Sequence, residues 1–281
     1  EAGRLNDRSL GIYSDAHVPR LREIAAFCRS QGARVGIQLG HAGPKAWSKT
    51  QGRGPLRPAS PSGHPFDDGW VVPSMLSTGE IELILEDWRA AARRAVAAEF
   101  DFVEVHAAHG YLLNSFLSPL TNRREDVYGR DRTRLLFESI AAVRSEIPAS
   151  MPLFVRLSVD DLASGGWTSA DSERLAIGLG AAGVDALDLS WGGITPTQLP
   201  SSVDSKRLAA RRVRLAGGLP VVAVGLVESA AQAEETLVEE IADIVAIGRL
   251  LVHNPYWTIE AAETLADGTP PAIVSPYLAA R

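Results

Sequence analysis

Short apolar segments alternate with longer amphipathic segments along most of this chain of 281 residues. Six apolar runs rich in Val, Ile and Leu lie at 34–40, 100–107, 152–159, 184–190, 219–225 and 242–248. The intervening stretches have apolar residues at helical spacing, and glycines such as Gly32, Gly183 and Gly218 stop them just before the next run. Because each run is apolar throughout, both faces of each strand should be covered, as in a parallel sheet flanked by helices.

Residues that could contact a ligand or take part in chemistry stand near the end of nearly every predicted strand. They are Gln38 and His41, His106 and His109, Arg156, Ser190 and Trp191, Gly225, and Gly248 with Arg249. A closed barrel brings all these ends to one mouth, whereas an open doubly wound sheet joins only those beside its switch point. No G-x-G-x-x-G motif follows any strand, which also argues against a Rossmann domain. We therefore predict an α/β fold, a (β/α)8 TIM barrel with six readable βα units, as a single domain over residues 1–281.

Composition limits the classes of partner. The net charge is −6 and the sequence pI is about 5.6, so no basic excess favours nucleic acid or an anionic membrane surface. No apolar run approaches the roughly 20 residues of a membrane span. The lone Cys28 cannot form an internal disulfide, which favours a reducing cytoplasm. These features predict a cytoplasmic protein without a nucleic acid or membrane partner.

Two glycine-containing strand ends are candidates for a phosphate site. Gly225 and Gly248 each follow an apolar run, where backbone N–H groups can approach an anion closely, and Arg249 adds a positive fork. The loops after the last two strands of a TIM barrel are a frequent phosphate site. The alternative is that both glycines only allow tight turns. Together with Arg249 they favour a phosphorylated cofactor.

The pair His106 and His109 directly follows a predicted strand and allows three interpretations. It could bind a metal ion, form a structural pair, or donate hydrogen bonds to a bound molecule. Zinc requires further ligands, and H-x-x-H lacks the i, i+4 spacing of helical zinc motifs, so we predict no metal site. The residues alone leave the other two interpretations open.

Five segments carry a family resemblance over essentially the whole chain. In order they are QLGHAGPKAW, HAAHGYLLNSFLSPLTNRREDVYG, LFVRLSVDD, AVGLV and AIGRLLVHNPYW. They resemble the Old Yellow Enzyme family of FMN-dependent ene-reductases, and its YqjM-like branch most closely. The resemblance implies a barrel that binds FMN, is reduced by NADPH or NADH, and transfers hydride to the activated C=C bond of an α,β-unsaturated carbonyl compound.

The resemblance also implies roles for individual residues. The histidines matching His106 and His109 donate hydrogen bonds to the substrate carbonyl oxygen, and the tyrosine matching Tyr111 protonates the α-carbon. Residues matching Gln38 and Arg156 contact the polar edge of the flavin.

Further residues of the site follow from the same resemblance. Lys45 matches a lysine near the polar edge of the flavin. Phosphate contacts are implied for Val224, Gly225, Gly248 and Arg249.

The chain also departs from the family pattern. The first two strands of the family have no counterpart, so we expect six strands and two exposed sheet edges. Trp191 stands where a small residue is usual and should narrow the pocket. A C-terminal arginine reaches into a neighbouring subunit in many members, which implies a homo-oligomer with Arg281 as the matching candidate. Altered flavin chemistry on a pathway-specific substrate, or a non-catalytic or partner-dependent subunit, are the alternatives.

Overall fold

The computed structural model describes residues 1–46 and 58–266. The strands of this part are β1 (Gly36–Leu39), β2 (Ala59–Ser60), β3 (Ser74–Met75), β4 (Phe102–Ala107), β5 (Leu153–Ser158), β6 (Ala186–Ser190), β7 (Val221–Val224) and β8 (Ile244–Ala246). The α-helices are α1 (Val18–Ser30), α2 (Thr78–Ala97), α3 (Leu112–Leu117), α4 (Val127–Arg130), α5 (Arg134–Arg144), α6 (Ser169–Leu179), α7 (Val203–Gly217), α8 (Ala230–Val238), α9 (Arg249–His253) and α10 (Trp257–Leu265). Short 3₁₀ helices cover Asp15–His17 and Gly43–Lys45.

All six predicted strands form one parallel sheet, in the order β1-β4-β5-β6-β7-β8. Each strand pairs with the next predicted strand along the chain, and at least one helix separates consecutive strands of the sheet. The sheet curls into a half-barrel. Within the described residues, β1 and β8 are its two edges. No helix of this described part is long and apolar enough to cross a membrane.

Local sequence signals fix the ends of several helices. Ser77 and Glu80 form a reciprocal capping box at the start of α2, and Thr168 and Asp171 form another at the start of α6. At the other end of α7, Gly218 has a φ of 61° and donates its N–H to Arg214 O. A residue with a Cβ is strained in that conformation, so the predicted glycine stop has a steric cause.

The two faces of the central strands have different environments. Odd-numbered residues of β4, β5 and β6, such as Val105, Val155 and Leu187, belong to the hydrophobic core between sheet and helices. Even-numbered residues lie on the opposite, concave face because side chains alternate along a strand. Most of them are polar: Glu104, His106, Arg156, Ser158, Asp188 and Ser190. The concave face of the half-barrel therefore carries most of the polar and ionisable side chains of these three strands.

The small sheet formed by β2 and β3 was not predicted from the sequence. Arg124 holds it, because its buried guanidinium donates hydrogen bonds to Pro61 O at 3.0 Å and to Leu76 O at 2.5 Å. The same guanidinium is paired with Asp126. The segment after the histidine pair thus anchors the loop region that lies beside the ends of the strands.

Candidate active site

His106 and His109 lie at the C-terminal end of β4, with ring centroids 5.2 Å apart and planes at 80°. His106 is the penultimate residue of the strand, and its register partner on β5 is Arg156. His109 has a φ of 60°, and its backbone N–H donates to Ser158 Oγ at 2.9 Å. The left-handed backbone at His109 turns the chain sharply after the strand. The turn brings both imidazoles to the same end of the sheet.

Hydrogen bonds restrict the state of each imidazole. The His106 Nδ1 accepts the Ala108 N–H at 3.3 Å, so in the neutral ring the proton sits on Nε2, which is a donor. The His109 Nε2 shares a hydrogen bond with Ser190 Oγ. Burial, followed by the charges of Arg156 and Lys45, lowers the pKa of His109 to about 4. Burial, His109 and the same two cations lower the pKa of His106 to about 3, so both rings are neutral near pH 7.

Tyr111 lies next to His106 and is the N-cap residue of α3. The two ring centroids are 4.9 Å apart with planes at 77°. Burial raises the pKa of the Tyr111 phenol, so its hydroxyl keeps its proton at neutral pH. A protonated phenol beside two neutral imidazoles provides several hydrogen-bond donors within one small volume.

Lys45 lies close to the histidines and Tyr111, and its ammonium binds backbone carbonyls. Its Nζ donates to the carbonyl oxygens of His109 and Gly193, both at 2.9 Å, and lies 4.1 Å from the centroid of the Phe66 ring. Burial lowers the pKa of Lys45 to about 8. The ammonium therefore joins the loops that follow β1, β4 and β6.

Gln38 and Arg156 are linked through two carboxyl groups on the concave face. Gln38 Nε2 donates to Glu104 Oε1 at 2.5 Å. Glu104 lies within hydrogen-bonding reach of Asp188, and Asp188 Oδ2 lies 3.5 Å from Arg156 Nε. The four side chains come from β1, β4, β5 and β6, so this chain of contacts crosses two thirds of the sheet below the histidines.

The predicted phosphate residues lie at the ends of the next two strands. Val224 of β7 pairs with Ala246 of β8, which places Gly225 and Gly248 near each other just beyond the strands. A Cβ at either glycine would meet no atom within 4 Å, and Gly225 has a φ of 71°. Both glycines and Arg249 are exposed. The backbone at these two strand ends is therefore accessible to a ligand.

The remaining predicted pocket residues are less closely connected. Trp191 follows β6 directly, packs against the core, and has Lys206 Nζ 6.0 Å from its ring centroid. Arg281 lies outside the described residues. A cavity of about 330 Å³ opens beside β1 and is lined by Gln38, His106 and Tyr111 among others. Within residues 1–46 and 58–266, no group of three or more His, Cys, Asp or Glu side chains could hold a metal ion.

Comparison with known proteins identifies the family. The family model for the NADH:flavin oxidoreductase / NADH oxidase family matches residues 1–268. The chain belongs to this family. An NADPH dehydrogenase from Geobacillus sp. (strain WCH70) is 41% identical over 266 residues, which are 94% of this chain and 76% of that protein. An NADPH dehydrogenase from Listeria innocua is 39% identical over 270 residues, covering 95% of this chain and 78% of the relative.

Solved structures agree with the assignment to the NADH:flavin oxidoreductase / NADH oxidase family. Morphinone reductase matches with a TM-score of 0.79 at 28% identity, over 96% of this chain and 76% of that one. A 2-naphthoyl-CoA reductase complex matches with a TM-score of 0.84 at 25% identity, over 94% and 43% of the two chains. The predicted Old Yellow Enzyme resemblance, TIM-barrel class and FMN cofactor with a nicotinamide reductant are confirmed. The protein is an FMN-dependent NADPH oxidoreductase of this family.

Three residues of the site, Ser158, Glu104 and Asp188, were not singled out from the sequence, whereas Ser190 was among the strand-end residues. Ser158 and Ser190 fix the backbone and the ring of His109, and Glu104 and Asp188 join Gln38 to Arg156. Glu104 and Asp188 could have been recognised from the sequence. A charged side chain inside an otherwise apolar strand is expensive to bury unless it is paired, so Glu104 and Asp188 already pointed to polar partners.

Proposed function

We propose that this enzyme reduces the activated C=C bond of small α,β-unsaturated carbonyl compounds with electrons from NAD(P)H. One observation carries the proposal: two imidazoles held neutral, a protonated Tyr111 and the cation Arg156 lie together at one end of the concave sheet face. Neutral imidazole N–H groups and a phenol are hydrogen-bond donors, which suit a substrate whose oxygen gains negative charge during the reaction.

The residues present fit a flavin. The Arg156 Nε is buried without a hydrogen-bond partner among the described residues, and Gln38 is exposed at the same face. We assign these two side chains to the polar edge of FMN. We assign Val224, Gly225, Gly248 and Arg249 to its phosphate, because both glycine positions leave open space and Arg249 supplies positive charge. FMN, when bound, accepts hydride from the nicotinamide and supplies it to the substrate.

The side chains of this protein would then act on the substrate in two ways. His106 Nε2 and the imidazole of His109 donate hydrogen bonds to the carbonyl oxygen, which withdraws electrons from the C=C bond. A prearranged donor of this kind is worth roughly 3 kcal/mol of barrier reduction. Tyr111 then delivers its proton to the α-carbon as a general acid.

Separate measurement of the two half-reactions tests these roles. Tyr111→Phe should slow reoxidation by an enone while leaving reduction by NAD(P)H unchanged, because only the enone requires a proton from the phenol. The double variant His106→Ala with His109→Ala should retain FMN but lose the absorption change that a phenol produces when it binds over the flavin. His253→Ala, at an exposed position far along the chain, is the control.

Two results would refute the proposal. Purified protein that shows no flavin absorbance and gains none with added FMN would exclude the flavin-dependent activity of this chain. An equal loss of both half-reactions in Tyr111→Phe would remove the proton-donor role.

Several broader expectations remain part of the same proposal. They are a single flavin-binding domain over residues 1–281, a homo-oligomer, a cytoplasmic location, and Lys45, Trp191 and Arg281 as substrate-pocket residues. Lys45 would act there through the two loop carbonyls that it binds, which hold the backbone of His109.

A further inference from the structure

Two carboxyl groups lie in contact on the concave face of the sheet, where water is largely excluded. Glu104 is 9% exposed and Asp188 is 6% exposed. They come from β4 and β6, on either side of β5, and the curl of the sheet brings them within hydrogen-bonding reach. Two adjacent buried carboxylates repel each other strongly in a medium of low dielectric constant. A structure of this kind is stable when one of the two carries a proton.

Among the described residues, one cation faces the pair. Arg156 on β5 lies 3.5 Å from Asp188, without hydrogen-bond geometry at Nε. On the other side, β7 contributes only Val222 as the register partner of Asp188, and β1 contributes the neutral amide of Gln38. His106 is the remaining titratable group of this face on β4 and is neutral. One positive charge therefore faces two carboxyl groups.

The hydrogen bonds around Asp188 also favour one proton on the carboxyl pair. Asp188 Oδ1 is buried and has no donor among the described residues. A proton on Asp188 that is donated to Glu104 gives the carboxyl pair the hydrogen bond that two carboxylates cannot form. Burial, the charge of Glu104 and the hydrogen bond to Glu104 raise the pKa of Asp188 to about 7, against the opposing effect of Arg156.

We propose that Glu104 and Asp188 share one proton and act as positioning residues, which hold the Gln38 amide and the Arg156 guanidinium in the orientation that the flavin edge requires. With one proton in the pair, the cluster with Arg156 has no net charge. With both acids ionised, it has one excess negative charge directly beneath the electron-rich edge of the ligand. The placement beneath a flavin rests on the proposed function, whereas the shared proton rests on the protein alone.

Loss of the shared proton should weaken FMN binding. An added negative charge repels the electron-rich edge of the flavin and draws Arg156 toward the carboxylates. We therefore expect the dissociation constant of FMN to rise about threefold or more between about pH 6 and about pH 8.5. In Asp188→Asn the side-chain amide donates to Glu104 permanently, so its FMN affinity should match the original protein near pH 6 and stay constant as pH rises.

The experiment uses the whole chain before and after addition of FMN. Infrared titration before FMN is added should show the C=O stretch of a protonated carboxyl that disappears as pH rises through about 7. Carboxyl groups with an ordinary pKa of about 4 are already ionised in this range, so they do not contribute to the band. The band should be absent from Asp188→Asn and retained in Glu82→Gln, which removes an exposed acid from α2. Fluorescence quenching of FMN then gives the dissociation constant at each pH.

The outcomes separate this inference from the proposed function. A wild-type titration without such a band, or an unchanged band in Asp188→Asn, overturns the shared proton. The wild-type titration gives this answer even if a variant fails to fold. FMN affinity with the same pH dependence in Asp188→Asn and wild type overturns the positioning role. Failure of the wild type to bind FMN, with the band present, refutes the proposed function while the shared proton survives. Glu104→Gln serves as the second variant and should also lose the band.

Discussion

Acid should destabilise this protein through its buried neutral histidines, and His106 permits a quantitative test. This residue is 8% exposed, and its pKa falls from the ordinary value of 6.5 to about 3, first because of burial and then because of His109 and two cations. Below pH 6.5 the unfolded chain binds a proton at this residue and the folded chain does not. The free energy of unfolding therefore falls with pH from about 6.5 down to about 3.

The expected size follows from the two pKa values. Between pH 7 and pH 5, a group with these values removes about 2 kcal/mol from the free energy of unfolding. The result hardly changes if the folded value is one unit higher, because the folded imidazole is still neutral at pH 5. This loss is a large fraction of the roughly 5–15 kcal/mol that stabilises an ordinary domain.

Urea denaturation at pH 7 and pH 5 measures this effect. In His106→Asn, the side-chain oxygen can still accept the Ala108 N–H, but the titration is lost. The variant should therefore lose about 2 kcal/mol less than the original protein over this pH range. His253→Asn, at an exposed position, should behave as the original. Parallel pH dependences for His106→Asn and the original protein would show that this imidazole is not held neutral, and the reasoning about hydrogen-bond donors would fail.

Three other perturbations have outcomes that follow from single contacts. Arg249→Ala should weaken FMN more than riboflavin, measured by fluorescence quenching; equal weakening would contradict a phosphate contact. Arg124→Met should lower the free energy of unfolding in urea by about 3 kcal/mol, since its carboxylate and carbonyl partners are left unpaired, whereas the exposed Arg123→Met should have little effect. Gly110→Ala should lower it by about 2 kcal/mol, because φ is +73° and an added Cβ overlaps the Gly193 carbonyl; wild-type stability would argue against this loop conformation.

The sheet could be predicted from sequence because its signals are local and repeated. Each of the six strands is a short apolar run between helical patterns, and the order of pairing follows the order along the chain. The small sheet of β2 and β3 has two residues per strand, too few for any periodicity to show. Its position depends on Arg124, which is distant in sequence from both strands. Tertiary contacts, not propensity, decide that part of the fold.

In the site, too, local features could be predicted from the sequence and tertiary contacts could not. His106 and Tyr111 are five residues apart in sequence, and their proximity follows from one strand end and one turn. Lys45 could be recognised as a pocket residue, but its bonds to the carbonyls of His109 and Gly193 join loops that are 64 and 148 residues away along the chain. Only the folded arrangement shows that it acts on the backbone beneath the imidazole.

The alternation of side chains along a strand predicts which residues share a face of the sheet, but it does not predict that two acids on that face touch. Glu104 and His106 are two residues apart on β4, as are Asp188 and Ser190 on β6, so alternation places all four on one face. In a flat sheet, strands on either side of a common neighbour are about 10 Å apart, and two carboxyl groups so placed would not touch. Their contact requires the sheet to curl toward its concave face. The same curvature that gathers the strand ends around the histidines therefore also forces two acids together below them, and the proton they share is a consequence of the barrel geometry.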